Sequence, residues 1–182
     1  LFSDALAEEA IDVITHNLVE CYQHGDNMDA RKIVHEASNI AGTAFNNAGL
    51  GICHSIAHQL GANFHVPHGL ANTMLLPYVV AFNTSNSKKA MHKVAVAAKK
   101  AQIAPPSVSD HLAVQRMIGK IRQMARQMNC PMTLKDFGVD PKDAFDAEDT
   151  VIANAKKDAC FPTNPVDPSD DDLKKIYEAV IR

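Results

Sequence analysis

Apolar residues recur along this chain every three to four positions, a period that predicts helix after helix. From residue 4 to about 22, Leu6, Ala10, Val13, Ile14, Leu18 and Cys21 form one stripe, with Glu8, Glu9 and Asp12 opposite. Ser3 or Asp4 stands ready to cap its start, and Gly25 lies just past its end. Asp26 or Asn27 opens a second helix, roughly 28 to 47, whose later part EASNIAGTAFNNAG is rich in small residues and is expected to pack tightly and centrally. Leu70 to about Phe82 is apolar nearly all round, which predicts a buried helix with Met74, Leu75, Leu76, Val79 and Val80 in the core. Pro77 should kink or end it, and Asn83 to Ser87 reads as a polar turn.

Residues 88 to 102 continue as an Ala- and Lys-rich amphipathic helix through Met91, Val94, Val96 and Ala97, stopped by Pro105 and Pro106. Ser109 or Asp110 caps another, running to about Met128, with Leu112, Ile118, Ile121 and Met124 inward. Thr133 precedes a short turn ending at Gly138, and Pro141 starts a helix to about Lys157. Asp158 to Ser169, with Pro162, Pro165 and Pro168, is expected to be an extended loop. Ser169 then caps a last helix with Asp170, Asp171 and Asp172 in its first turn, where the helix dipole favours them. No alternating β-branched run persists, and the Gly-rich strand-to-helix turn that a dinucleotide fold uses for pyrophosphate is missing. The expected class is all-α, with residues 1–182 forming one helical domain.

Composition changes this picture little. A hydrophobic fraction of 46% with 21% charged residues is that of an ordinary globular protein. A net charge of −3 gives no reason to expect nucleic acid or an anionic membrane as partner. No apolar run is long enough to span a bilayer, and no basic-then-apolar leader opens the chain. Cys21, Cys53, Cys130 and Cys160 are scattered without a CxxC pair, so free thiols in a reducing, cytoplasmic setting are expected. The chain opens at Leu1 with no initiator Met, which reads as part of a longer protein.

The chemistry is concentrated in residues 51 to 69, GICHSIAHQLGANFHVPHG. His54 and His58 are four apart and share a helix face. Gly61 weakens that helix, and Pro67 predicts a break just before His68. Imidazole is the commonest protein metal ligand and the usual acid or base near neutral pH. The HExxH zinc-protease motif is absent, because Ser55 occupies the position of its general base. His68, fixed between Pro67 and Gly69, suits a ligand or a substrate-facing group, whereas His65 reads as a partly exposed loop residue.

Taken whole, the stretch resembles the histidine signature of the iron-containing (group III) alcohol dehydrogenases, matched by Gly51, His54, His58, Gly61, Pro67, His68 and Gly69. LANTMLLPYVVAFN, DACFPTNPVDPSDDDLKKIYEAVI and the opening SDALAEEAI extend the likeness over nearly the full chain. The resemblance implies the C-terminal helical domain of that family, a fold shared with dehydroquinate synthase-like proteins. It assigns two of the family's one Asp and three His metal ligands to His54 and His68, although spacing alone would choose His54 and His58. His58 then stands near nicotinamide and substrate as a proton relay, and Cys160 borders the nicotinamide without acting as a nucleophile. The remaining Asp and His belong to a DxxxH segment that precedes SDALAEEAI; Asp4 and His16 lack that spacing. The chain is thus expected to supply half a metal site and to lack the N-terminal nucleotide-binding domain.

The implied reaction is NAD- or NADP-linked oxidation of a small alcohol to an aldehyde or ketone, and its reverse, with Fe2+ as Lewis acid. The same ligands suit Zn2+, so a zinc-dependent, glycerol-type polyol dehydrogenase is the alternative within the superfamily. A non-catalytic helical metal-binding module using His54 and His68 is the alternative outside it. By itself the chain should bind metal weakly and be inactive, and its uncovered histidine face leaves room for a homo-oligomer or for the missing lobe.

Overall fold

The computed structural model describes residues 1–182 and is built from ten α-helices without a strand. In chain order they are α1 (Phe2–Gln23), α2 (Met28–Ala48), α3 (Ile52–Phe64), α4 (His68–Asn86), α5 (Lys88–Lys100), α6 (Asp110–Gln127), α7 (Leu134–Phe137), α8 (Pro141–Asp146), α9 (Glu148–Ala155) and α10 (Asp170–Glu178). A single 3-10 turn, Phe161–Thr163, lies between α9 and α10. No helix is long and apolar enough to cross a membrane. The helices gather into two compact units, one of Leu1–Gly49 with Lys88–Met128, the other of Leu50–Ser87 with Asn129–Arg182.

In the first unit α1 packs along α2, and α5 along α6. Alanine makes these approaches close: Ala10, Ala30, Ala37 and Ala44 are buried in the first pair, and Ala95, Ala98, Ala113 and Ala125 in the second. Helix α1 begins at Phe2, so Ser3 and Asp4 lie inside its first turn and do not cap it. Asp4 is engaged elsewhere, accepting from Lys93 Nζ of α5 at 2.6 Å. Asn27 does cap α2, accepting from the Ala30 amide. Apart from its alanine seam, α2 is largely exposed, so the expected central position is not seen in its burial. Ser109 caps α6, but Leu112 faces outward at 38% exposure; the buried positions are Ala113, Val114, Met117, Met124 and Ala125.

The second unit holds the larger side chains. Ile52, Ile56 and Leu60 of α3 meet Met74, Leu75 and Val79 of α4, Val151 and Ile152 of α9, and Leu173, Ile176 and Tyr177 of α10 in one buried cluster. Each such aliphatic side chain contributes about 1.5–3 kcal/mol on burial. The Tyr177 hydroxyl donates to Ala144 O at 2.6 Å, and the Leu134 and Lys135 amides donate to Val180 O and Ile181 O, closing α7 onto the C-terminal residues. Ser169 caps α10 in a reciprocal capping box with Asp172.

Helix α3 runs through Gly61, with the flanking Leu60 fully buried, and stops at His65, left-handed with φ 57°, before the expected break at Pro67. Three other boundaries differ from expectation. Helix α4 starts at His68 and passes through Pro77, which is itself buried. It also absorbs the expected polar turn up to Asn86, because Thr84 Oγ1 and Asn86 Nδ2 donate back to Val80 O and Phe82 O. The single helix expected from Pro141 is instead two short ones, Pro141–Asp146 and Glu148–Ala155, joined at Ala147.

Candidate functional site

Helix α3 carries His54 and His58 one turn apart, and the break at Pro67 brings His68 back to them as the first residue of α4. The ring centroids of His54 and His68 are 5.1 Å apart, those of His58 and His68 5.3 Å, and those of His54 and His58 6.2 Å. Two imidazoles sharing one tetrahedral ion would hold their centres about 5 Å apart. The pair assigned by resemblance therefore has the shorter separation, and the pair chosen by helical spacing the longer. His65 is exposed at the helix cap.

His54 is half-buried, and its Nδ1 is buried with no hydrogen-bond partner. Desolvation, followed by the nearby His68 and His58, pushes its pKa below the usual imidazole value, against the opposing charge of Asp158. The ring is thereby kept in the neutral form that a metal requires. The Asn72 side-chain amide donates to His68 Nε2 at 3.2 Å and to His68 O at 3.0 Å, fixing the ring at the start of α4. An orphaned polar atom on His54, with a second imidazole beside it, fits a cation ligand set.

A second group faces His58. Its Nδ1 lies 2.7 Å from Asp158 Oδ2, while Asp158 Oδ1 accepts from the Cys160 amide at 2.8 Å. Burial works to raise the Asp158 pKa, but the Cys160 amide, His58 and the Cys160 thiol outweigh it and hold the carboxylate below its usual range. Burial, and then Asp158, push the Cys160 thiol up. This environment opposes a thiolate nucleophile at Cys160.

The site is fastened by a polar knot at the start of α3. Gly51 (φ 73°, ψ −166°) approaches Asn164 so closely that an added Cβ would lie 2.8 Å from Asn164 Oδ1. The Gly51 amide donates to Thr163 Oγ1 at 3.1 Å and the Ile52 amide to Asn164 Oδ1 at 3.3 Å. Asn164 also exchanges hydrogen bonds with Asn83 of α4 and donates to Val166 O. One side chain thus ties both histidine-bearing helices to the 158–166 segment. Sequence reasoning missed the parts played by Asp158, Asn72 and Asn164. Asp158 could have been found as the carboxylate two residues before Cys160; nothing in spacing pointed to the two amides.

The family model "Fe-containing alcohol dehydrogenase family, C-terminal" matches residues 2–181. The chain is 40% identical over 179 residues to an NADPH-dependent butanol dehydrogenase of Clostridium saccharobutylicum, covering 98% of this chain and 44% of that protein. It is 38% identical over 165 residues to a 1-propanol dehydrogenase of Citrobacter freundii, covering 90% and 44%. A solved 1,3-propanediol oxidoreductase superposes with a TM-score of 0.89 at 32% identity, over 98% of this chain and 45% of that one. The chain spans less than half the length of the curated relatives it matches.

Proposed function

Because this chain belongs to the Fe-containing alcohol dehydrogenase family as its C-terminal part, we propose that its 182 residues act as the metal-binding lobe of an alcohol dehydrogenase. The whole protein would interconvert a small alcohol and its aldehyde or ketone with NAD or NADP, the nucleotide being held by an N-terminal half. The free cysteines support a reducing, cytoplasmic setting.

His54 and His68 hold the cation, and the observation that carries this is their convergence from two helices beside a buried, unpartnered Nδ1. When bound, a ferrous ion supplies the Lewis acidity that lowers the pKa of an alcohol towards neutrality. His58 carries the hydroxyl proton: Asp158 holds its Nδ1, leaving the opposite nitrogen to exchange with substrate. Cys160 stays a neutral thiol and lines the nicotinamide side through the backbone turn that Asp158 fixes.

The test uses the protein with its nucleotide-binding half and butanol as substrate. His58→Ala should lower kcat with metal retained, whereas His54→Ala and His68→Ala should lose both. The 182-residue chain alone should not reduce NAD or NADP, and robust reduction by it would overturn this reading. Metal analysis on protein purified without air distinguishes iron from zinc.

A further inference from the structure

The His58–Asp158–Cys160 group supplies more ligands than the proton-carrying role uses. One ring nitrogen of His58, an Asp158 oxygen and Cys160 Sγ all lie within 4.8 Å of one another. Donors around a tetrahedral zinc ion sit about 3.3–3.8 Å apart, so a modest movement of side chains brings these three onto one ion. His58 is 39% exposed and Asp158 15%, so the group is open to solvent on one side and packed on the other. Asp158 accepts from His58 Nδ1 at 2.7 Å and from the Cys160 backbone amide at 2.8 Å, which holds both residues against one carboxylate.

We propose that His58, Asp158 and Cys160 form a second cation position, selective for a thiophilic divalent ion such as Zn2+, with its fourth place open to solvent. The proton balance is simple. The ion replaces the proton between His58 Nδ1 and Asp158, which moves to Nε2 as the ring changes tautomer. It also replaces the Cys160 thiol proton, which leaves to water. The filled site, with one carboxylate, one thiolate and one neutral imidazole, is neutral overall. Thiolate ligation favours zinc over magnesium or calcium. Three ligands come from this chain here, against two at His54 and His68, so this position is the tighter one in the isolated chain. Its consequence rests on the proposed function: zinc held here occupies the His58 nitrogen paired with Asp158 and stops proton transfer.

The test titrates the 182-residue chain with Co2+, followed by displacement with Zn2+. The wild type and the His54→Ala, His68→Ala double variant should both show a sulfur-to-cobalt charge-transfer band. Cys160→Ser should lack the band, and His58→Gln, at an exposed position, should weaken cobalt binding at least about tenfold. Far-ultraviolet circular dichroism checks that each variant is folded. No band in the wild type, a band persisting in Cys160→Ser, unchanged affinity in His58→Gln, or a band lost in the double variant overturns the proposal. Failure of His54 and His68 to bind iron leaves these outcomes unchanged, so the two readings fail separately.

Discussion

Replacing Gly51 by alanine should damage the second unit far more than one added methyl suggests. The residue sits at φ 73° and ψ −166°, a region essentially restricted to glycine, and holding alanine there costs about 1–3 kcal/mol. Its Cβ would also lie 2.8 Å from Asn164 Oδ1, inside contact distance. Asn164 must then withdraw the oxygen that accepts from the Ile52 amide, at the first residue of α3, whose side chain is fully buried. An amide left without its partner there costs a further 1–3 kcal/mol or so. Together the loss is about 2–6 kcal/mol, a large share of a typical domain stability of about 5–15 kcal/mol. Gly61 in the same helix is the matched control: its added Cβ would meet only Val66 O at an ordinary 3.5 Å. Gly61→Ala should therefore stabilise by about 0.5–1 kcal/mol. Amide exchange across α3, together with urea unfolding, reads both changes in the second unit. Gly51→Ala remaining within about 0.5 kcal/mol of wild type would refute the reasoning.

Tyr177→Phe should cost about 1–3 kcal/mol, because it strips the buried Ala144 carbonyl of its 2.6 Å partner; an unchanged urea midpoint would contradict this. Ser169→Ala breaks the capping box with Asp172 and should cost about 0.5–2 kcal/mol, read by the same unfolding curve. Stability of the metal-free second unit should fall on acidification. The depressed His54 pKa means the folded state takes up a proton less readily than the unfolded chain, so the loss begins as pH drops below the usual imidazole value of about 6.5. The depressed Asp158 pKa adds a contribution that is full above the ordinary carboxylate range and lost as pH falls through its folded value. Melting curves of wild type and His54→Gln with the same dependence between about pH 7 and pH 5 would contradict the first part.

The all-α class was legible because most long elements carry a period near 3.6 and three of the expected caps form, with Asn27, Ser109 and Ser169 accepting hydrogen bonds at their helix starts. Errors cluster where tertiary packing overrides local preference. Pro77 sits in a helix whose other residues bury enough surface to carry the break. The polar run after Phe82 stayed helical because its hydroxyl and amide groups bond backward along the helix, a choice that composition alone does not reveal. At the site, the helical pair His54 and His58 was visible from spacing. The nearer pair, His54 and His68, depends on the angle between α3 and α4, and it was reached through resemblance. The Asp158–His58 bond joins residues 100 positions apart, and the Asn164 knot spans 81 and 112; no periodicity encodes such separations.

Iron content of the protein joined to its nucleotide-binding half, purified without air, tests the metal assignment most directly. Wild type and the exposed-cap variant His65→Ala should retain about one ion per chain, whereas His54→Ala and His68→Ala should each lose it. Full iron retention in both His54→Ala and His68→Ala would contradict the account.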